Sequence, residues 1–169
     1  MQTHQLETHD ENDRRAFRNA LGRYATGVTV VMAGGGGHDP VGITVNSFAS
    51  VSLDPPLILW SVERDSTGVH TFTHAPDFTV SVLGADQGEV AMQFADSKTE
   101  AADRLSGAPL ESGPGPVPLI AGAPAWFHCR LEATFPGGDH TVILGRVTAF
   151  SYSDGPTLLF HDGAFARSE

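Results

Sequence analysis

The chain predicts an α+β domain that is mostly antiparallel β. Three observations carry that prediction. Apolar residues alternate with small polar ones in several short runs, Gly- and Pro-rich turn signals separate those runs, and only three windows carry helical spacing.

The first helical window covers residues 14–24. Asn12 or Asp13 is placed to cap it, and Phe17, Ala20, Leu21 and Tyr24 fall on one face at i, i+3, i+4 and i+7. A strand over 28–32 follows. Gly34-Gly35-Gly36-Gly37 with His38-Asp39-Pro40 turns the chain into a second strand from Val41. Residues 57–62 are apolar enough to be a strand buried on both faces. A short helix over 66–74 stops at Pro76, and a strand follows over 78–83. Asp86 is expected to cap a helix to Ala95 that buries Val90, Met92 and Phe94. Residues 96–125 form a long Pro- and Gly-containing loop, a length that marks function or disorder. Strands over 126–135, 141–152 and 157–161 complete the chain, with Gly137-Gly138-Asp139-His140 as a second hairpin turn. Residues 1–12 are a polar tail, and 13–169 make one domain.

At 169 residues one domain can bury a full core. Net charge is −10, which argues against nucleic acid or an anionic membrane surface as partner. No apolar run approaches the ~20 residues that span a bilayer. The opening segment has neither a basic start nor an apolar stretch, so no secretory signal is expected and the cytoplasm is the expected compartment. Cys129 is the single cysteine. It lies in a strand and is expected to be a buried thiol rather than a nucleophile.

The run that points to a site is Gly42-Ile43-Thr44-Val45-Asn46-Ser47-Phe48-Ala49-Ser50-Val51-Ser52-Leu53-Asp54-Pro55-Pro56. It starts as an alternating strand, but its polar positions are small, neutral donors and acceptors, with no charge before Asp54. It fits either an edge strand rich in Ser and Thr or a wall that a large planar ligand approaches closely. Other candidates are weaker. The four glycines at 34–37 lack the Lys-Ser/Thr of a phosphate loop and precede no helix, so they are a hairpin tip. His70 and His74 share a helical face at i, i+4, but no third metal ligand is at hand. His4 and His9 lie in the tail, His38 in a loop tip, and His128 in a strand where a structural role is expected. His140 differs: its Gly-Asp-His turn can project the ring into a cleft mouth, or merely bond it to Asp139.

Together with Ala25-Thr26-Gly27-Val28-Thr29-Val30-Val31, Pro56-Leu57-Ile58-Leu59-Trp60-Ser61-Val62, Phe78-Thr79-Val80-Ser81-Val82-Leu83 and Gly138-Asp139-His140-Thr141, the run resembles the flavin reductase family. These are short NAD(P)H:flavin oxidoreductases that supply reduced flavin to two-component monooxygenases. The order and spacing of the blocks, from about Phe17 to Phe165, carry the resemblance. It implies an FMN-binding split β-barrel, a homodimer, and FAD (with FMN as the alternate) and NADH (with NADPH as the alternate) as ligands. It further implies that Thr26, Gly27 and Val28 approach the flavin rings, Gly27 having no Cβ to obstruct them. Thr44, Asn46, Ser47, Phe48, Ala49, Ser50 and Val51 would line the isoalloxazine. Ser61 and Val62 would face the ribityl chain, Arg64 and Ser66 the phosphate, and His140 the nicotinamide. Asp162 departs from the pattern, since a basic residue is frequent there, and phosphate contact from that segment is in doubt.

Hydride transfer between two stacked cofactors needs orientation rather than a protein nucleophile, which agrees with the lack of a triad or carboxylate dyad. Two rivals remain. A pyridoxamine-phosphate-oxidase-like flavoenzyme needs basic residues for its substrate phosphate, and this chain has ten Lys and Arg in all. A non-catalytic flavin-binding module would be inert to NADH.

Overall fold

A computed structural model describes Thr3 and residues 10–168. Most of the predicted tail, with His4 and His9, lies outside the described residues. Helix α1 (Glu11–Leu21) starts before the predicted cap, because the Asp10 carboxylate accepts from the Asn12 N–H at 2.7 Å and takes that role.

Twelve strands follow in chain order: β1 (Thr26–Gly27), β2 (Thr29–Gly35), β3 (His38–Val45), β4 (Ala49–Leu53), β5 (Pro56–Glu63), β6 (Asp77–Val82), β7 (Leu110–Glu111), β8 (Leu119–Ile120), β9 (Ala125–Gly137), β10 (His140–Tyr152), β11 (Leu158–His161) and β12 (Ala164–Arg167). Helices α2 (Val69–His74) and α3 (Gly88–Ala95) flank β6 in sequence. Seven strands form one antiparallel sheet in the order β3-β2-β6-β9-β10-β5-β4. Its two edge strands, β3 and β4, are consecutive in the chain, so Asn46-Ser47-Phe48 must cross from one edge to the other. The sheet is curled, and its open seam is bridged by a side chain. Ser47 Oγ accepts from the Ser61 N–H at 3.0 Å and donates to the Ser61 carbonyl at 3.3 Å. Ser47→Ala should therefore cost about 1–2 kcal/mol, one lost bond plus unpaired backbone groups. Thermal unfolding checks it, and a melting point equal to wild type would remove the bridge from the account.

Two cores sit on opposite faces of β2 and β6. Trp60, Phe72, Phe78 and Ile143 fill the inside of the curl. Val30, Met32, Leu83, Phe94, Ile120 and Leu158 fill the second core under α3. The run from Thr29 to Ala33 is buried throughout because β2 separates the two.

Four local expectations differ. On β5 only Ile58, Trp60 and Val62 are buried, while Leu57 and Leu59 are half-exposed on the other face, left uncovered among the described residues. Met92 is 61% exposed; residues 90, 92 and 94 have a strand's period, and on a helix Ala91 and Phe94 share the buried side instead. Gln87 rather than Asp86 starts α3: its side chain accepts from the Gly84 N–H and donates to the Ala121 carbonyl. The apolar face of α1 is not buried, with Phe17, Leu21 and Tyr24 all exposed, because the second core is already filled. The long 96–125 loop is packed: it contributes Val117, Leu119 and Ile120 to buried positions and pairs β7 with β8.

Strand β12 was not legible in the sequence. Asp162 adopts φ 52° in its turn, donates its N–H to the Gly22 carbonyl at 2.9 Å, and pairs its carboxylate with Arg23 at 3.0 Å. The family-divergent residue thus fastens the end of α1. Cys129 is fully buried, and burial pushes its thiol up to about 12, so it is no nucleophile.

Candidate active site

The seam opens into a cleft of about 370 Å³. Thr44, Asn46, Ser47, Ser61, Val62, Ser66 and His140 line it, so seven residues predicted from the sequence are gathered there by β3, β5, the turn after β5 and the start of β10. Strands β5 and β10 pair antiparallel with His140 opposite Glu63, which is why a histidine in a distant hairpin turn faces Ser61 and Val62.

The other predicted residues fall around this cleft. Thr26 lines a recess beside it, and Val28 walls an adjoining trough. Gly27 has no atom within 4 Å of where a Cβ would stand, so its backbone is open to close approach. Phe48 packs on the first core against Phe127, with ring centroids 5.6 Å apart. Ala49, Ser50 and Val51 are exposed on the edge strand β4 and are not part of the cleft wall. Arg64 is also exposed and outside the wall; its backbone N–H donates to the Asp139 carbonyl at 3.0 Å.

Several hydroxyls in the wall already have partners. Thr44 Oγ1 donates to the Ala91 carbonyl at 2.7 Å, which ties β3 to α3, and Ser47 holds Ser61. Asn46 is exposed, and it borders the cleft, the trough and the recess alike. His140 Nδ1 lies 2.7 Å from Asp139 Oδ1. An ionised carboxylate only accepts, so Nδ1 carries a proton and Nε2 is the nitrogen left for a ligand. That hydrogen bond, then the His140 charge, holds the Asp139 carboxyl below the ordinary carboxylate range. The contact is complete above that range and is lost as pH falls through the lowered value. On the activity that the resemblance implies, Asp139→Asn should leave the ring less oriented and lower kcat/KM for NADH about threefold to tenfold at neutral pH. A value within error of wild type would show that Asp139 does not position the ring.

The residue that sequence reasoning missed is Arg104. It is 4% exposed yet borders the cleft with Thr67 and Ser97. Its Nε–H donates to the carbonyls of Asp96 and Thr99, Nη1 to that of Gly42 at 3.2 Å, and Nη2 to Thr67 Oγ1 at 3.1 Å. Burial pulls its pKa down; the Asp96 and Glu100 charges oppose that pull. No carboxylate pairs with it directly among the described residues, so a buried cation faces the cleft with only neutral acceptors. The one signal in the sequence was the length of the 96–125 loop. The exposed Glu63 and Asp65 also border the cleft.

His128, expected to be structural, places Nδ1 2.7 Å from Thr148 Oγ1 and Nε2 3.6 Å from Asp77. His70 and His74 stack at 4.3 Å, and no group of three metal-ligating side chains occurs among the described residues.

These features suit a flavin. Neutral walls suit an isoalloxazine, the open face of Gly27 admits a ring plane, and Arg104 with Thr67 and Ser66 suits a phosphate. The residues present fit the group. A sheet split along one seam, with a hydroxyl-rich cleft at the seam and a buried cation on its border, defines a split-barrel protein whose cleft suits a flat, anionic ligand. Residues 21–169 match the Flavin reductase like domain, and the chain belongs to that family. It is 46% identical over 153 residues to the FMN reductase (NADH) SmoA of Agrobacterium fabrum, covering 90% of this chain and 85% of that protein. The NADH:FAD oxidoreductase SgcE6 of Streptomyces globisporus, solved with NAD and FAD fragments, superposes with a TM-score of 0.84 at 39% identity, covering 97% of this chain and 98% of that one. BorF, the flavin reductase component of a bacterial two-component tryptophan halogenase, gives a TM-score of 0.84 at 38% identity over 91% of this chain and 97% of its own.

Proposed function

We propose that this protein is an NADH-dependent flavin reductase that transfers a hydride to FAD or FMN and supplies the reduced flavin to a partner monooxygenase. The observation that supports it best is the cleft itself, which gathers the neutral Thr44, Asn46 and Ser61 with His140 and Arg104 in one lining. When bound there, the nicotinamide supplies a hydride and the flavin accepts it. The chain's own groups orient the pair. Asp139 fixes the His140 ring, and His140 offers Nε2 toward the nicotinamide side. Thr67, held by Arg104, and Ser66 present hydroxyls to the phosphate end. The wall of Asn46, Ser61 and Val62 keeps charged side chains away from the ring plane, which suits a flavin that must leave after reduction. NADH is preferred to NADPH, because Glu63 and Asp65 at the rim disfavour an added phosphate.

The functional unit on this reading is a homodimer. The uncovered face of β5 and β10, with Leu57, Leu59, Val142 and Leu144 half-exposed, is the surface it would bury. The cytoplasm is the proposed compartment, and no helix among the described residues is long and apolar enough to cross a membrane.

The test is NADH consumption by the purified protein with FAD, with FMN, and with neither. Turnover that requires added flavin and saturates with it is expected. If NADH and NADPH both stay intact while flavin binds, the reading fails, and an oxidase or a carrier on this barrel takes its place.

A further inference from the structure

Three of the chain's eight histidines stand in one row outside the cleft. His70 and His74 are exposed on α2, one helical turn apart, and their rings stack at 4.3 Å with planes 12° from parallel. His38, at the start of β3, lies beside His70, with ring centroids 5.7 Å apart and planes 35° apart. The helical pair is legible from spacing, whereas the fold brings up the third ring from a distant hairpin.

Two observations mark the pair as more than a solvated patch. First, the proton on the His74 ring is placed. Its Nδ1 lies 2.9 Å from the His70 carbonyl oxygen, which can only accept, so Nδ1 carries the hydrogen and Nε2 keeps its lone pair. Thr73 supports the same tautomer: its hydroxyl donates to the Val69 carbonyl at 2.8 Å, and its oxygen, 2.9 Å from Nδ1, accepts from it. A histidine that binds a metal commonly has its other ring nitrogen held by a backbone carbonyl in this way. Second, the ring nitrogens of His70 have no hydrogen-bond partner among the described residues, and stacking keeps that ring beside His74. Two nitrogens on one zinc-sized ion lie roughly 3–3.5 Å apart, so rings held at 4.3 Å converge on it through a small side-chain rotation. Imidazole nitrogens select copper, nickel and zinc, whereas magnesium and calcium require oxygen donors.

We propose that His70 and His74 chelate one divalent transition-metal ion of the copper, nickel and zinc class, through Nε2 of His74 and a ring nitrogen of His70, with water in the remaining positions. His38 flanks the pair without joining it, since no group of three converging ligands occurs among the described residues. Helix α2 follows Ser66 and Thr67, which border the cleft, so an ion clamped across its one free turn stiffens the element next to the cleft. The site itself makes no use of the reductase reading.

The test titrates the full chain, first stripped with a chelator, with NiCl₂, ZnCl₂ and MgCl₂ by calorimetry, and repeats its melting curve with each. Wild type is expected to bind Ni²⁺ and Zn²⁺ at the pair and to show no Mg²⁺ binding there. His70→Ala and His74→Ala should each weaken Ni²⁺ about tenfold or more, because a single ligand remains. A hundredfold excess of Ni²⁺ over its Kd should raise the wild-type melting temperature by about 5 °C, and that of either variant by less. Both positions are exposed, so the metal-free melting temperatures should match wild type and show that the variants fold. His161→Ala, which removes an exposed histidine elsewhere, should leave Ni²⁺ affinity unchanged, and His38→Ala should change it less than about threefold. Full Ni²⁺ affinity in the His70→Ala/His74→Ala double variant would place the ion elsewhere and overturn the proposal. A loss in His38→Ala equal to that in His74→Ala would overturn the two-histidine assignment. Mg²⁺ binding as tight as Ni²⁺ would overturn it too, as a response to the net charge of −10 alone.

Discussion

Arg104→Ala is expected to lower the melting temperature by about 6–12 °C and to weaken flavin binding in the same protein. The side chain is buried and donates to the carbonyls of Gly42, Asp96 and Thr99 and to Thr67 Oγ1. Removing it strands those acceptors, some in places water reaches poorly, at a cost of about 3 kcal/mol. A domain of this size loses about 2–4 °C per kcal/mol. The same change frees the 96–105 segment from β3 and takes the positive charge from the cleft. Arg104→Lys separates the two effects, since an ammonium restores charge but cannot reach acceptors spread around a planar fork. Its melting temperature should stay low while flavin affinity recovers in part. An alanine variant as stable as wild type would show that the segment is held by its other contacts.

Gly145→Ala should be as damaging, through overpacking. A Cβ at this position would stand 2.2 Å from Phe78 Cζ and 3.2 Å from Cys129 Cβ. Phe78 is 1% exposed and lies against Trp60 at 6.0 Å, so its ring has no empty space to enter. The cost is about 3 kcal/mol, the upper part of the range for added core methyl groups. Calorimetry on Gly145→Ala, Phe78→Leu and the double variant forms a cycle. The double variant should be more stable than the sum of the two losses predicts, because the smaller ring makes room for the methyl. Strict additivity would mean that the clash is relieved by the backbone.

The strands around the site were legible because their information is local. Alternation at Val41-Gly42-Ile43-Thr44-Val45, the apolar run at 57–62 that marks a strand, and the positive-φ glycines of the turns are properties of neighbouring residues. The same holds for the hydroxyl-rich run and the Gly-Asp-His turn, which reach the cleft because short strands deliver them there. Met92 was misplaced by a local error of period.

The sequence by itself determined a mostly antiparallel domain, a neutral wall at 44–47 and a histidine in a strand-starting turn, since each depends on residues within a few positions of one another. Only the tertiary structure decided the rest. It brought Arg104 to Gly42, across 62 positions, and so put a cation in the cleft that no local pattern marks. It paired Ser47 with Ser61 across the seam, which turned an expected ligand contact into the link that closes the curl. It left the apolar stripe of α1 and the outer face of β5 uncovered, because both cores were already filled from elsewhere in the chain. Burial and pairing at such distances depend on how the whole sheet curls, and that is set by the sum of its strand registers rather than by any one segment.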